Sequence, residues 1–489
     1  MCFSRSPDGA VTLRTGLSLQ NMTKYESFRK LTDSWKNSSD SALIYAEGDD
    51  KIILTYRNLY ERIQAAPSRP EVIRTDHSPD TIVRIFADVM GGNDVILIDE
   101  STSEQTEEEI RNAFLPLLPL PRSASGISAA KGASGHNGPD SRSVASGIPE
   151  TKGASGHNGP DSRSGISDNG EGRILFFTSG TTSRSRAVVL STRALLAGTW
   201  GGQSMLACSK RDIILCLLPL SHVFGFVCGL MWGLCYRARV ALGRGRIHIT
   251  DDCRYFHPTI LPAVPTIADL LLQTESLNRE LRIMLIGAAV PSSETLRALQ
   301  MRGLQTYTGY GLTETSSGLA ITRDLSDPLA LYICPGADIR IEPDSEITVK
   351  TEALMDGYLN PADGSLELPL VDGRFPTGDL GRIDSRGALR ITGRKKDLLV
   401  LPNGEKVSCT EYEKYLSEAL ESDELCVILV DDRPALLFSD RLSREAVEKA
   451  VSSLNRHYPR NRQIARLIPR EGMLPRTRTG KIMRWVLEK

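Results

Sequence analysis

The sequence predicts an α/β protein in two unequal parts. A large N-terminal unit of helix-covered sheets carries a small β subdomain, and a small, mobile α+β unit follows at the C-terminus. Three observations carry this reading. Apolar runs at 174–177, 213–218, 238–242 and 282–286 alternate with helix-length segments, the pattern of sheets covered by helices. The stretch 340–393 differs: IRIEP, EITVK and ALRITG are short strand-like runs with turn signals between them. From about 397 a smaller unit begins, and the division is placed between 1–394 and 395–489.

Taken in order, residues 42–45 and 52–55 read as strands and 56–63 as a helix, and 81–99 as a helix followed by a strand at 95–98. Composition then changes. ASGISAAKGASGHNGPDSRSV at 124 is followed by ASGIPETKGASGHNGPDSRSG at 145, a tandem duplication with a 21-residue period. A repeat of this length can stack into a solenoid only if each unit has an apolar face to bury. Gly, Ser, Pro, Asn and Asp dominate these units and neither has an apolar face, so 122–170 is expected to be a flexible insertion.

The apolar segment 213–236, IILCLLPLSHVFGFVCGLMWGLCY, is long enough to propose a membrane span. Pro219, Ser221 and His222 near its middle favour a buried strand, a turn at 219–222 and a buried helix. In the C-terminal unit 424–430 and 434–438 read as strands. Ser443 is placed to cap a helix carrying Val447, Ala450, Val451 and Leu454 at helical spacing. The polar, basic stretch 474–483 reads as a mobile loop.

Composition excludes several function classes. The 489 residues carry a net charge of −1 and 6% aromatic side chains, so neither bulk electrostatics nor base stacking recruits nucleic acid. The nine cysteines form no CxxC pair and their odd number suits free thiols. No apolar secretory segment opens the chain, and the expected setting is reduced and cytoplasmic.

The chemistry concentrates at RILFFTSGTTSRSRAVVLS, residues 173–191. A buried strand empties into Thr178, Ser179, Gly180, Thr181 and Thr182, with Arg184 and Arg186 close behind. Phosphate binding needs inward backbone N–H groups and hydroxyl donors, and glycine allows close backbone approach. The alternative is a Ser/Thr-rich surface turn. A Walker A loop is excluded here, and the TGK at 479–481 is followed by Ile482 rather than Ser or Thr.

TSGTT at 178–182 resembles the phosphate loop of the acyl-adenylate-forming superfamily of AMP-binding enzymes. Further segments resemble that family in its own order. LPLSHVFG at 218–225 is similar to the segment lining the acyl site, and IGAAVP at 286–291 and TGYGLTET at 308–315 to the adenine-binding segments. FPTGDLG at 375–381 and TGRKKD at 392–397 are similar to the ribose-binding and hinge motifs, and LPRTRTGKIMR at 474–484 to the C-terminal lysine loop. The hinge and LPLSHVFGF resemble the fatty acyl-CoA synthetase subgroup.

The resemblance implies ATP-dependent activation of a carboxylic acid, with a fatty or other apolar acyl group, and transfer to a pantetheine thiol, coenzyme A. It implies Glu314 as a Mg²⁺ ligand, since Mg²⁺ uses one or two carboxylates with phosphate oxygens. Thr313 would meet the α-phosphate, Asp379 and Arg394 the ribose, and Tyr310 with Gly311 the adenine beside Gly287, Ala288 and Ala289. Lys481 would bridge carboxylate, α-phosphate and ribose, and Lys396 would act at the hinge. His222 either lines the acyl or thiol tunnel or is a satisfied buried histidine. The implied partners are a small carboxylic acid and, as an alternative acceptor, an acyl carrier protein.

Two departures stand out. Where the family loop continues Gly-x-Pro-Lys-Gly, this chain has Ser183, Arg184, Ser185, Arg186 and Ala187. Arg186 keeps a charge, but a planar guanidinium is not an ammonium. The region before the phosphate loop is also short once 122–170 is set aside. A nucleotide-binding pseudoenzyme on the same fold is therefore the second expectation.

Overall fold

The computed structural model describes residues 2–5, 11–14, 26–118, 120, 127–128, 170–178, 186–401, 406–476, 482 and 484–487. Most of the 122–170 insertion, Ser179, Gly180, Thr181, Thr182, Lys481 and most of the 474–483 loop lie outside the described residues.

The alternation seen in the sequence becomes a parallel sheet. Ser41–Glu47, Arg239–Leu242, Ile213–Cys216, Ile260–Ala263, Ile283–Ile286 and Gln305–Tyr310 lie side by side, all parallel. Helices Ile249–Phe256, Pro265–Gln273 and Ser293–Met301 return the chain between successive strands. A parallel strand is covered on both faces, so it reads as an unbroken apolar run. Ile283, Met284, Leu285 and Ile286 are all buried, as that rule requires.

The strands expected to form a small β subdomain are continuous with the parallel sheet. Ala337–Ile341, Glu346–Thr351, Phe375–Ile383 and Leu389–Arg394 form an antiparallel wing. That wing continues through Leu331–Ile333 and Ala320–Thr322 onto Gln305–Tyr310, so among the described residues one sheet of 15 strands runs through both. The backbone groups at the edge of the parallel sheet are satisfied by the wing rather than left open.

A second sheet contains Glu71–Thr75, Val95–Asp99, Arg173–Phe177 and Ala187–Ser191, with Gly357–Leu359 added antiparallel to the last. From Ala187–Ser191 the chain enters helix Thr192–Met205, capped by Ser191, whose side chain accepts from the Ala194 N–H.

The apolar segment 213–236 resolves as a strand, a turn and a helix, as expected. The His222 N–H donates to the Pro219 carbonyl at 3.1 Å, and a π-helix Gly225–Met231 then runs into Trp232–Tyr236. Gly225, Gly229 and Gly233 let this helix lie directly on the strands. A Cβ on them would sit 2.3 Å from the Pro219 carbonyl oxygen, 2.9 Å from Cys216 Sγ and 2.4 Å from a Val240 methyl. Among the described residues no helix is long and apolar enough to cross a membrane.

The C-terminal strands are Leu425–Val430, Arg433–Ser439 and Arg466–Arg470. Ser443 caps helix Arg444–Asn455, its side chain accepting from the Ala446 N–H, and Val447, Ala450, Val451 and Leu454 are buried. They share a core with Leu399, Tyr412 and Leu436, whereas the strand ending at Arg394 belongs to the large sheet.

Candidate active site

Open α/β sheets bind ligands outside the carboxyl ends of their parallel strands, where successive loops diverge. Leu217, Gly243, Val264, Gly287 and Gly311 follow five parallel strands directly, and all line one cavity of about 520 Å³. The second sheet faces it with its own strand ends, Thr75, Asp99, Phe177 and Thr178. The cavity thus lies between the carboxyl ends of two sheets.

One rim carries two carboxylates, each attended by a tyrosine and an arginine. Glu314 sits on the one-turn helix Thr313–Thr315, which Ser316 and Ser317 terminate in left-handed conformations at φ 49° and 79°. Its Oε1 accepts from the Tyr358 hydroxyl at 2.7 Å, and the Arg186 guanidinium lies 4.7 Å from the Tyr358 ring centroid. Burial pushes the Tyr358 phenol well above its ordinary range, with Glu314 adding to the shift, so this hydroxyl stays a donor. Among the described residues no cation pairs with Glu314.

Asp379 is only 3% exposed. Arg394 Nε lies 2.9 Å from its Oδ1, and the Tyr310 hydroxyl donates to its Oδ2 at 3.0 Å. Burial again pushes the Tyr310 phenol well up, Asp379 contributing next. Tyr310, Arg394 and Thr377 line the cavity, and Asp379 supports them from behind.

Most of the remaining expected residues that are described converge. Thr178, His222, Gly287, Ala288, Gly311 and Thr313 line the same cavity. Ala288 holds a left-handed backbone at φ 66°, a conformation that alanine adopts only where its surroundings impose it. Gly311 is required by space: a Cβ there would fall 1.1 Å from the Ser317 carbonyl oxygen. Ala289 is exposed and does not line the cavity. Arg186 reaches the rim through Tyr358. For Lys396 only the backbone is described, within the short helix Lys395–Asp397.

The sequence reading missed several residues. Tyr358 lies in a short strand, Gly357–Leu359, and nothing local marks it as a partner of Glu314. His77, Asp99 and Arg246 line a more polar arm, where His77 Nε2 is 3.0 Å from the Leu218 carbonyl oxygen. Trp232, Leu206 and Cys334, members of one apolar cluster, give the lining an apolar arm.

Comparison with known proteins decides the family. A family described as AMP-binding enzyme matches residues 92–359, more than half of the chain. The chain belongs to the AMP-binding enzyme family. It is 26% identical over 353 residues to a medium-chain fatty-acid–CoA ligase of Escherichia coli, covering 64% of this chain and 60% of that protein. It is 27% identical over 325 residues to a 2-succinylbenzoate–CoA ligase of Listeria monocytogenes, covering 63% of this chain and 68% of the relative. The match therefore spans about three fifths to two thirds of the length of these AMP-binding relatives. Among solved structures, ATP-bound MatB from Rhodopseudomonas palustris superposes with a TM-score of 0.71 at 21% identity, covering 94% of this chain and 97% of that one. Escherichia coli MenE carrying an analogue of OSB-AMS gives 0.68 at 21% identity, covering 95% and 100%. At that identity the likeness is one of fold, and the AMP-binding fold is what the two sheets and C-terminal unit share with them.

Proposed function

We propose that the protein activates a carboxylic acid with ATP as an acyl-adenylate and transfers the acyl group to the thiol of coenzyme A. The observation that carries this reading is a single cavity. It joins Glu314, the Tyr310 and Arg394 that flank Asp379, and an apolar arm suited to an acyl group. The acid's oxygen attacks the α-phosphorus and pyrophosphate leaves, so negative charge must be held where it develops.

In this reading Tyr310 offers its face to adenine, and Asp379 with Arg394 takes the ribose hydroxyls. Thr178, Thr313 and Arg186 meet the phosphates with Ser179, Gly180, Thr181 and Thr182. Glu314, a carboxylate with no described cation beside it, is the residue that would hold Mg²⁺, which neutralises phosphate charge when bound. Lys481 is assigned on its motif as the residue that bridges carboxylate and α-phosphate, and Lys396 as the hinge of the 395–489 unit. The polar part of the lining around His77 is assigned to the approach of the thiol.

ATP–pyrophosphate exchange over a panel of carboxylic acids tests the proposal. Exchange with one class of acid is expected, followed by thioester formation with coenzyme A in preference to a carrier-protein pantetheine. ATP binding without exchange for any acid would instead favour a nucleotide-binding pseudoenzyme. The seat of Arg186 on Tyr358 and the Ser183–Arg184–Ser185 departure favour testing that second reading.

A further inference from the structure

Helix Thr192–Met205 forms one wall of the apolar arm, closed at Gly198, whose Cβ would fall 2.4 Å from the Ser316 carbonyl oxygen, and open at Gly202. Gly198 and Gly202, one turn apart, line the cavity with Thr199 and, just past the helix end, Leu206. From Gly198 to Leu206 the wall runs about 12 Å at the helical rise. Gly202 stands beside the arm with no atom within 4 Å of where its Cβ would be, and Gly318 across the arm is the same. At both positions the missing side chain is part of the cavity.

Trp232 lines the arm and is almost fully buried, packed with Leu206, Leu285, Ile321 and Cys334. It is held rather than merely present. Its Nε1–H donates to Gln203 Oε1 at 2.6 Å. That oxygen also accepts from the Cys208 N–H at 3.0 Å, while the Gln203 amide nitrogen donates to the Cys208 carbonyl at 3.0 Å. An indole bound at its polar edge and packed on its apolar faces cannot swing aside within this site without leaving its own N–H unpaired.

We infer that Trp232, pinned by Gln203, sets the longest acyl group this protein accepts, and that Gly202 sets the width of the path to it. The ligand class is an unbranched aliphatic carboxylic acid that ends against the indole. The inference rests on the proposed acid activation, but the arm can be tested apart from turnover.

The test uses the full chain as wild type, Trp232→Ala and Gly202→Leu. Each is measured for calorimetric binding of straight-chain acids of increasing length and for ATP–pyrophosphate exchange with the same acids. Each methylene that the arm buries should tighten binding about four-fold until the chain meets the indole. Trp232→Ala should move the preferred length to longer acids. Gly202→Leu should move it to shorter ones, lowering the ratio of long-acid to short-acid affinity at least ten-fold. Trp232→Ala removes a large buried side chain and can cost the fold. Gly202→Leu places a good helix former into open space, so it keeps the test decisive. Length-dependent binding that shifts in this way without exchange supports the arm and overturns the activity. Exchange with an unchanged length preference in every folded variant overturns the arm alone. Absence of both binding and exchange overturns both.

Discussion

Glu314 at the cavity and Asp379 just behind its wall each have a tyrosine and an arginine beside them, and the two are held differently. Asp379 is sunk behind the wall and already satisfied, with Arg394 on one oxygen and the Tyr310 hydroxyl on the other. Among the described residues the Glu314 side chain accepts from a phenol, and Arg186 lies over the face of that phenol's ring rather than on the carboxylate. Asp379 is thus directly paired with its arginine, and Glu314 meets its own only through Tyr358. In the proposed reading that leaves Glu314 open to a hard metal ion beside phosphate.

The sharpest way to break this contrast is Glu314→Gln, which keeps the shape and removes the charge. The exchange rate is expected to fall about 10²- to 10³-fold with ATP still bound, as a calorimetric titration would show. A fall in ATP affinity of the same size would mean that Glu314 serves binding. Asp379→Asn should act on binding instead. It leaves Arg394 without its countercharge and should raise KM for ATP about 10- to 100-fold with a smaller change in kcat. Steady-state kinetics over ATP concentration separate the two.

Tyr358→Phe sharpens the comparison further, since it deletes the hydroxyl but keeps the ring beneath Arg186. The expected loss is about ten-fold in kcat. A loss as large as that of Glu314→Gln would mean that the phenol does more than orient the carboxylate.

The smallest effect concerns a third acid, Asp356, two residues before Tyr358. Burial raises its pKa from 3.8 to about 6 despite Arg173 Nη1 at 3.7 Å, with Asp94 adding to the rise. Between those values the folded protein keeps a proton that the unfolded chain has released, so this group's contribution falls as pH rises through the window. Asp356→Asn should therefore add about 1 kcal/mol at pH 8 and almost nothing near pH 4. Denaturation at the two pH values would show it.

Much of this was legible in the sequence because the relevant signals are local. Thr178 and Gly287 follow apolar runs that read as strands, and Tyr310, Gly311, Glu314 and Arg394 sit in short contiguous motifs that resemble the family's. Ser443 was legible as a cap for the same reason. What was not legible depends on partners far away in the chain. Tyr358 meets Glu314 only because Gly357–Leu359 pairs with Ala187–Ser191 across the second sheet. The continuity of the antiparallel wing with the parallel sheet depends on Ala320–Thr322 and Leu331–Ile333, whose short runs carry no record of their neighbours. Gly202 and Trp232 belong to different helices, and helical periodicity says which face is buried, not what it surrounds.

The glycine ladder of Gly225, Gly229 and Gly233 has a consequence for descent. A side chain added at any of the three meets backbone, sulfur or a core methyl, so drift on that wall is purged with the fold itself. Gly202 and Gly318 carry no such penalty. A lineage founded on this chain would therefore change its diet by substitutions on the facing wall, one residue at a time, while the buried helix stayed as it is.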